Sequence, residues 1–105
     1  MKHAFHPDAF AEYAAAASAY EVGQPGLGER FIRSVEGAIE GVCQAPDRWP
    51  ILEQDVRRRL TRVFPYAILY TMEESHVLIV AVMHCHRKPG YWRTRVSSAS
   101  TASAR

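Results

Sequence analysis

The chain has 105 residues, 48% hydrophobic and 23% charged, with a formal net charge of +2. That length and balance describe one soluble domain able to bury a sizeable core, and no apolar run approaches the ~20 residues of a membrane helix. The charge is split: residues 1–55 carry 4 Lys/Arg against 9 Asp/Glu, and residues 56–105 carry 9 against 2, so the second half holds the face suited to an anionic partner.

Met1–His6 reads as a short first strand. Pro7-Asp8 then opens a helix, because proline suits the first turn and an acid there complements the helix dipole. The spacing of Phe10, Tyr13, Ala14, Ala17 and Glu21 predicts that this helix covers Asp8 to Val22. Gly23-Gln24-Pro25-Gly26 breaks it and returns the chain. A second helix is expected over Leu27 to Gln44, with Leu27, Phe31, Val35, Ala38, Ile39 and Val42 as its apolar stripe and Glu29–Arg33 paired four residues apart. The short connection makes the two helices an antiparallel hairpin. Ala45 to Pro50 ends the second helix, and Trp49, set between prolines, reads as a plug at the edge of the core.

Ile51–Asp55 is expected to be a loop. Val56–Phe64 alternates imperfectly, with Arg58, Leu60, Arg62 and Phe64 on one face and Arg57, Arg59, Thr61 and Val63 on the other. Its arginines suit two purposes equally, protecting an edge strand from aggregation or contacting an anion. Tyr66–Met72 and Val77–His84 are rich in β-branched and aromatic residues and are joined by the polar turn Glu73–His76, as in a hairpin. The second of these strands is apolar without alternation and so should be covered on both faces. Nine side chains are expected in one helix–sheet core: Phe31, Val35, Ile39, Val42, Ile68, Tyr70, Leu78, Val80 and Val82.

Beyond that strand the chain turns basic and aromatic, with His84, His86, Arg87, Lys88, Tyr91 and Trp92 around the turn Pro89-Gly90. These six form the expected target-binding surface. His84 and His86 share one side of a strand, but a metal site needs a further ligand that His76 cannot supply from the far end, so no metal or other cofactor is expected. Cys43 and Cys85 lie outside any CxxC spacing and read as reduced thiols packed as small hydrophobes. The opening MKHAFHPDAF lacks the apolar core of a signal peptide, so a cytoplasmic location without a membrane partner is expected. Residues 1–95 should form the domain, and 96–105 should be a disordered tail too poor in apolar residues to pack.

Four segments, PGLGERF (Pro25–Phe31), PDRWP (Pro46–Pro50), RRRLTRVFPYAILY (Arg57–Tyr70) and AVMHCHRKPGYW (Ala81–Trp92), give the chain a pattern that resembles the RelE/ParE family of bacterial type II toxins. The resemblance implies an α+β fold of order β-α-α-β-β-β, with a helical hairpin on a small, mainly antiparallel sheet. It also implies inhibition by a cognate antitoxin, for which Arg58, Arg59 and Arg62 are the expected contacts.

Members of that family work in two ways: RelE-like proteins cleave mRNA on the ribosome, and ParE-like proteins bind and poison DNA gyrase. A ribonuclease must activate a 2′-hydroxyl, stabilise a developing phosphorane charge and protonate a leaving oxygen. RelE-like members place an arginine just before the apolar pair and tyrosine of the middle strand, where this sequence has Ala67. Arg87, Tyr91 and His86 would have to carry the chemistry if the chain were a nuclease. The missing cation favours a binder of gyrase over an enzyme acting with ribosome and mRNA, and a generic nucleic-acid-binding module stands third.

Overall fold

In the computed structural model, which describes residues 1–96, helix α1 spans Pro7–Gly23 and helix α2 spans Leu27–Gln44. The His6 ring caps α1 by accepting a hydrogen bond from the Asp8 amide at 3.1 Å, meeting one of the unpaired donors of the first turn. Between the helices, Glu21 folds back and its carboxylate accepts from the amides of Gly26 and Gly28. A Cβ on Gly28 would stand 2.6 Å from the Ala17 carbonyl oxygen, so the hairpin closes to a distance that only glycine allows here.

The stripe of α2 is buried as its spacing predicts, at Phe31, Val35, Ala38, Ile39 and Val42. That of α1 is not. Ala9, Tyr13 and Ala16 face inward, while Phe10 is 54% exposed and rests against the rings of Phe5 and Tyr13. An alanine-rich helix carries few bulky side chains to fix its rotation, so the sheet beneath decides which face it presents.

The sheet has five strands, β1 (Lys2–Phe5), β2 (Ile51–Glu53), β3 (Val56–Leu60), β4 (Tyr66–Met72) and β5 (His76–His84), in the order β1-β5-β4-β3-β2. β1 runs parallel to β5, and the other neighbours are antiparallel. Two expectations are corrected. Ile51–Glu53 is an edge strand and not a loop, turning into β3 through Gln54 at φ 52°; three residues are too few to display a period. β3 ends at Leu60 and not at Phe64. There Thr61 donates to the carbonyls of Phe64 and Tyr66, and Val63 adopts φ 76°. This turn moves Phe64 to the helix side, out of the expected alternation.

β4 and β5 carry a bulge. Leu69 pairs with Ala81 and Tyr70 with Ile79, which leaves Val80 as the extra residue. Parity therefore changes along β5: Val77, Ile79 and Val82 face the helices, whereas Val80 and Ala81 face away. Two cores result, one on each face of the sheet. The helix-side core holds Phe31, Val35, Ile39, Val42, Ile68, Tyr70 and Val82 as expected, joined by Val77 and Ile79. Leu78 and Val80 belong instead to the second core, with Val56, Ala67, Leu69, Trp92 and Val96.

Past Ile79, where pairing with β1 stops, two side chains complete the backbone of β5. Glu12 accepts from the Val82 amide at 3.0 Å, and Arg95 donates to the Val80 carbonyl at 2.9 Å. The two also pair with each other at 2.9–3.0 Å. Residues 93–96 form a helical turn held by this clasp, so Val96, expected in the tail, is part of the fold. The rest of the expected tail, 97–105, lies outside the described residues. Among the described residues no helix is long and apolar enough to cross a membrane.

Candidate functional site

Of the six expected surface residues, all at the end of β5 or in the segment after it, five keep an exposed or half-buried side chain, though not in equal roles. The His84 ring packs edge-on against Tyr66 and His86, at 5.1 and 5.3 Å between centroids, and its Nδ1 accepts from the His86 amide. Arg87 and Lys88 are exposed. The Arg87 guanidinium lies over the Tyr91 ring at 4.0 Å, with Arg95 5.1 Å from the same ring. Stacking of this kind fixes a planar cation without removing its outward donors.

Tyr91 shows its ring to Arg87 and hides its hydroxyl. The oxygen is buried beside the Glu12 carboxylate. Burial, reinforced by Glu12, pushes its ionisation well above the usual tyrosine range. A hydroxyl so placed is poorly suited to proton transfer with a substrate outside.

Trp92 is a correction. At 3% exposed it fills the second core and offers no ring to a partner. The sequence gives Trp49 and Trp92 similar turn surroundings, but Trp49 is the one left half-buried, between Arg48 and Arg59 at 5.4 and 4.0 Å. The loop that carries it is anchored by Arg57, which donates to the carbonyls of Asp47 and Trp49, and by the Tyr70 hydroxyl on the Pro46 carbonyl. Ala67 is wholly buried in the same core as Trp92.

The three arginines expected to meet an antitoxin are not one patch. Strand alternation places Arg59, opposite Ile68, on the helix face and Arg58, opposite Leu69, on the far face. Arg58 lines a cavity of about 230 Å³ with Cys85, Arg87 and Arg93, and so lies beside the residues expected to bind a target. Arg93 is engaged there by Glu53 through two contacts of 2.6 and 2.8 Å, which hold the Glu53 carboxyl below the usual range. Arg62 returns to the helix face through the turn at Val63. With Arg59 it lines a groove of about 480 Å³ that also takes in Arg30, Arg33 and Ser34 of α2.

Sequence reasoning did not single out Arg30, and it took Arg33 only as the partner of Glu29, a pair the structure keeps at 3.7 Å. A signal was available: Arg30, Arg33/Ser34, Gly37 and Gly41 recur at helical spacing and leave one side of α2 bare of bulk next to an arginine-rich strand. Among the described residues, no three His, Cys, Asp or Glu side chains gather as a metal site would require. Cys85 is exposed rather than packed, and Cys43 is half-buried with its sulfur 3.9 Å from His3 Nδ1.

No curated protein matches the chain in sequence. Among solved structures, one described as a chromosomal ParDE TA system from P. aeruginosa superposes with a TM-score of 0.71 at 15% identity, covering 80% of this chain and 95% of that one. At that identity the likeness speaks for the fold. The model of the ParE toxin of the type II toxin-antitoxin system, parDE, matches residues 4–89, from β1 through the basic turn after β5. The chain belongs to the ParE toxin family of type II toxin–antitoxin systems.

Proposed function

We propose that this chain arrests growth by binding an essential protein target, DNA gyrase, and that a cognate antitoxin neutralises it. The observation that carries the choice of binding over RNA cleavage is the burial of Ala67. The position at which a nuclease of the wider family holds a cation lies inside the second core, which also holds Trp92. Losing one transition-state donor of that kind lowers a rate by about 10²–10³. The buried Tyr91 hydroxyl removes a second candidate for the chemistry.

What remains at the end of β5 is suited to recognition: His84, His86, Arg87 and Lys88, with the Tyr91 ring beneath Arg87. Arg58, opening on the same side, extends this surface. A fixed arginine on an aromatic ring is a typical anchor of a protein interface. The antitoxin contacts then reduce to Arg59 and Arg62 on the other face.

The test is purified protein added to a translation extract, with primer extension on the message. Intact message is expected with wild-type protein. Cuts spaced by codons would overturn the proposal in favour of a ribosome-dependent nuclease acting through Arg87 and His86.

A further inference from the structure

The cavity of about 230 Å³ beside Arg58 is walled by β2, β3, the end of β5 and the turn that follows it. Arg58, Arg87 and Arg93 line it together with one carboxylate, Glu53. Glu53 is taken up by Arg93 through contacts of 2.6 and 2.8 Å. Among the described residues no carboxylate is paired with Arg58 or Arg87, so two positive charges stand uncompensated at one small space.

The walls are held in place before any partner arrives. Arg87 lies over the Tyr91 ring at 4.0 Å, and its amide closes a turn on the His84 carbonyl at 2.9 Å. The Cys85 amide donates to the Pro65 carbonyl at 2.8 Å, which anchors that turn to the start of β4. Gly90, at φ 79°, lies against the Arg93 guanidinium, where any Cβ would collide with it. A cation already fixed in this way binds an anion without the entropy cost of ordering a free side chain. The remaining wall is apolar, from Leu52, Met83 and Pro89.

Guanidinium forks bind carboxylate and phosphate alike. The space is smaller than the roughly 300–1,000 Å³ of most small-molecule sites and suits one inserted side chain. Trp92, the aromatic residue in its wall, is buried and offers no ring on which a base could stack, which disfavours a nucleic-acid strand. Resting on the reading that the end of β5 meets a protein target, we infer that this cavity receives an acidic side chain of that target. Its carboxylate sits between Arg58 and Arg87, and a neighbouring apolar side chain covers Leu52 and Met83. The chain then selects an acid flanked by apolar residues rather than negative charge at large.

Cys85 is exposed in the same wall, so its alkylation by neutral iodoacetamide reports whether the cavity is filled. The rate is followed by mass spectrometry at low salt in a Cys43→Ser protein and in Cys43→Ser/Arg58→Gln. About 10 mM acetyl-Leu-Glu-Leu-amide should slow it at least threefold in the first protein and less than 1.5-fold in the second. The Gln analogue of the peptide should slow it less than 1.5-fold in either. Equal protection by the two peptides, or undiminished protection in the Arg58→Gln protein, overturns recognition of a carboxylate here, and no protection by either overturns the cavity as a site. Inorganic phosphate protecting as well as the Glu peptide would overturn the proposal in favour of a free oxyanion. Purified gyrase is then added in place of peptide, and protection that is lost with Arg58→Gln is the expected result. Protection by gyrase undiminished in that variant overturns the assignment of the cavity to the target. Protection by the Glu peptide but not by gyrase defeats gyrase as the target instead, and leaves the ligand class of the cavity standing.

Discussion

Replacing Glu12 by alanine should be among the most destabilising single changes in this chain, although the residue sits in the first helix and belongs to no core. Its carboxylate accepts from the Val82 amide at 3.0 Å and from two nitrogens of Arg95 at 3.0 and 2.9 Å. The two side chains are 16% and 11% exposed, so both charges have left water and rely on each other. Removing one partner of such a pair costs ~3–5 kcal/mol, because the other remains buried and unpaired. Arg95 keeps the Val80 carbonyl and a distant Asp8 at 3.8 Å, which places the expected loss near the lower end, about 3 kcal/mol. With a urea slope of about 1.5 kcal/mol per molar, the midpoint should fall by about 2 M. Glu12→Leu/Arg95→Met should recover much of that loss, since it leaves no orphaned charge. A loss below ~1 kcal/mol for Glu12→Ala, or a double variant as unstable as the sum of its singles, would refute the buried clasp.

Ile39→Ala should lower stability by ~2–5 kcal/mol, and an unchanged melting midpoint would rule out the docking of α2 on the sheet. Trp92→Ala should cost ~3–5 kcal/mol, against ~0.5 kcal/mol or less for exposed Lys88→Ala; equal effects would return Trp92 to the surface. Alkaline pH should unfold the protein. Burial raises the Tyr70 hydroxyl to about 12, and burial with a nearby carboxylate raises Tyr13 and Tyr91 further. Each folded-state value stands above the unfolded one near 10, so the stabilisation is complete below that pH and is lost as pH rises through the folded values. Tyrosine absorbance at 295 nm should rise together with loss of helix by circular dichroism, and independent titration of these hydroxyls at ordinary values would contradict their burial.

The parts of the fold legible in the sequence are those in which one periodic signal goes unchallenged. Phe31, Val35, Ile39 and Val42 mark the buried side of α2 because every fourth or third residue is large, and the β-branched runs of β4 and β5 mark the hairpin. The bulge at Val80 was hidden by the same richness. In a strand apolar at every position, an inserted residue changes which side chains face the helices without changing the pattern. α1 failed for the opposite reason, since alanines leave its rotation to be set by Tyr13 and the sheet. The candidate surfaces divide along similar lines. Arg87 was legible because it follows the last strand directly. The grouping of Arg58, Arg59 and Arg62 assumed one continuous strand, whereas the turn at Val63 carries Arg62 across to Arg59 and leaves Arg58 behind. Glu12 and Arg95 lie 83 residues apart, and no local pattern announces that they complete the same strand.

The proposed role of the end of β5 is to bind gyrase. Supercoiling of relaxed plasmid by purified gyrase, titrated with wild-type protein and with Arg87→Ala, tests it most directly. Inhibition by wild type, weakened at least tenfold in a folded Arg87→Ala protein, is the expected result; full supercoiling at every concentration of wild-type protein would contradict it.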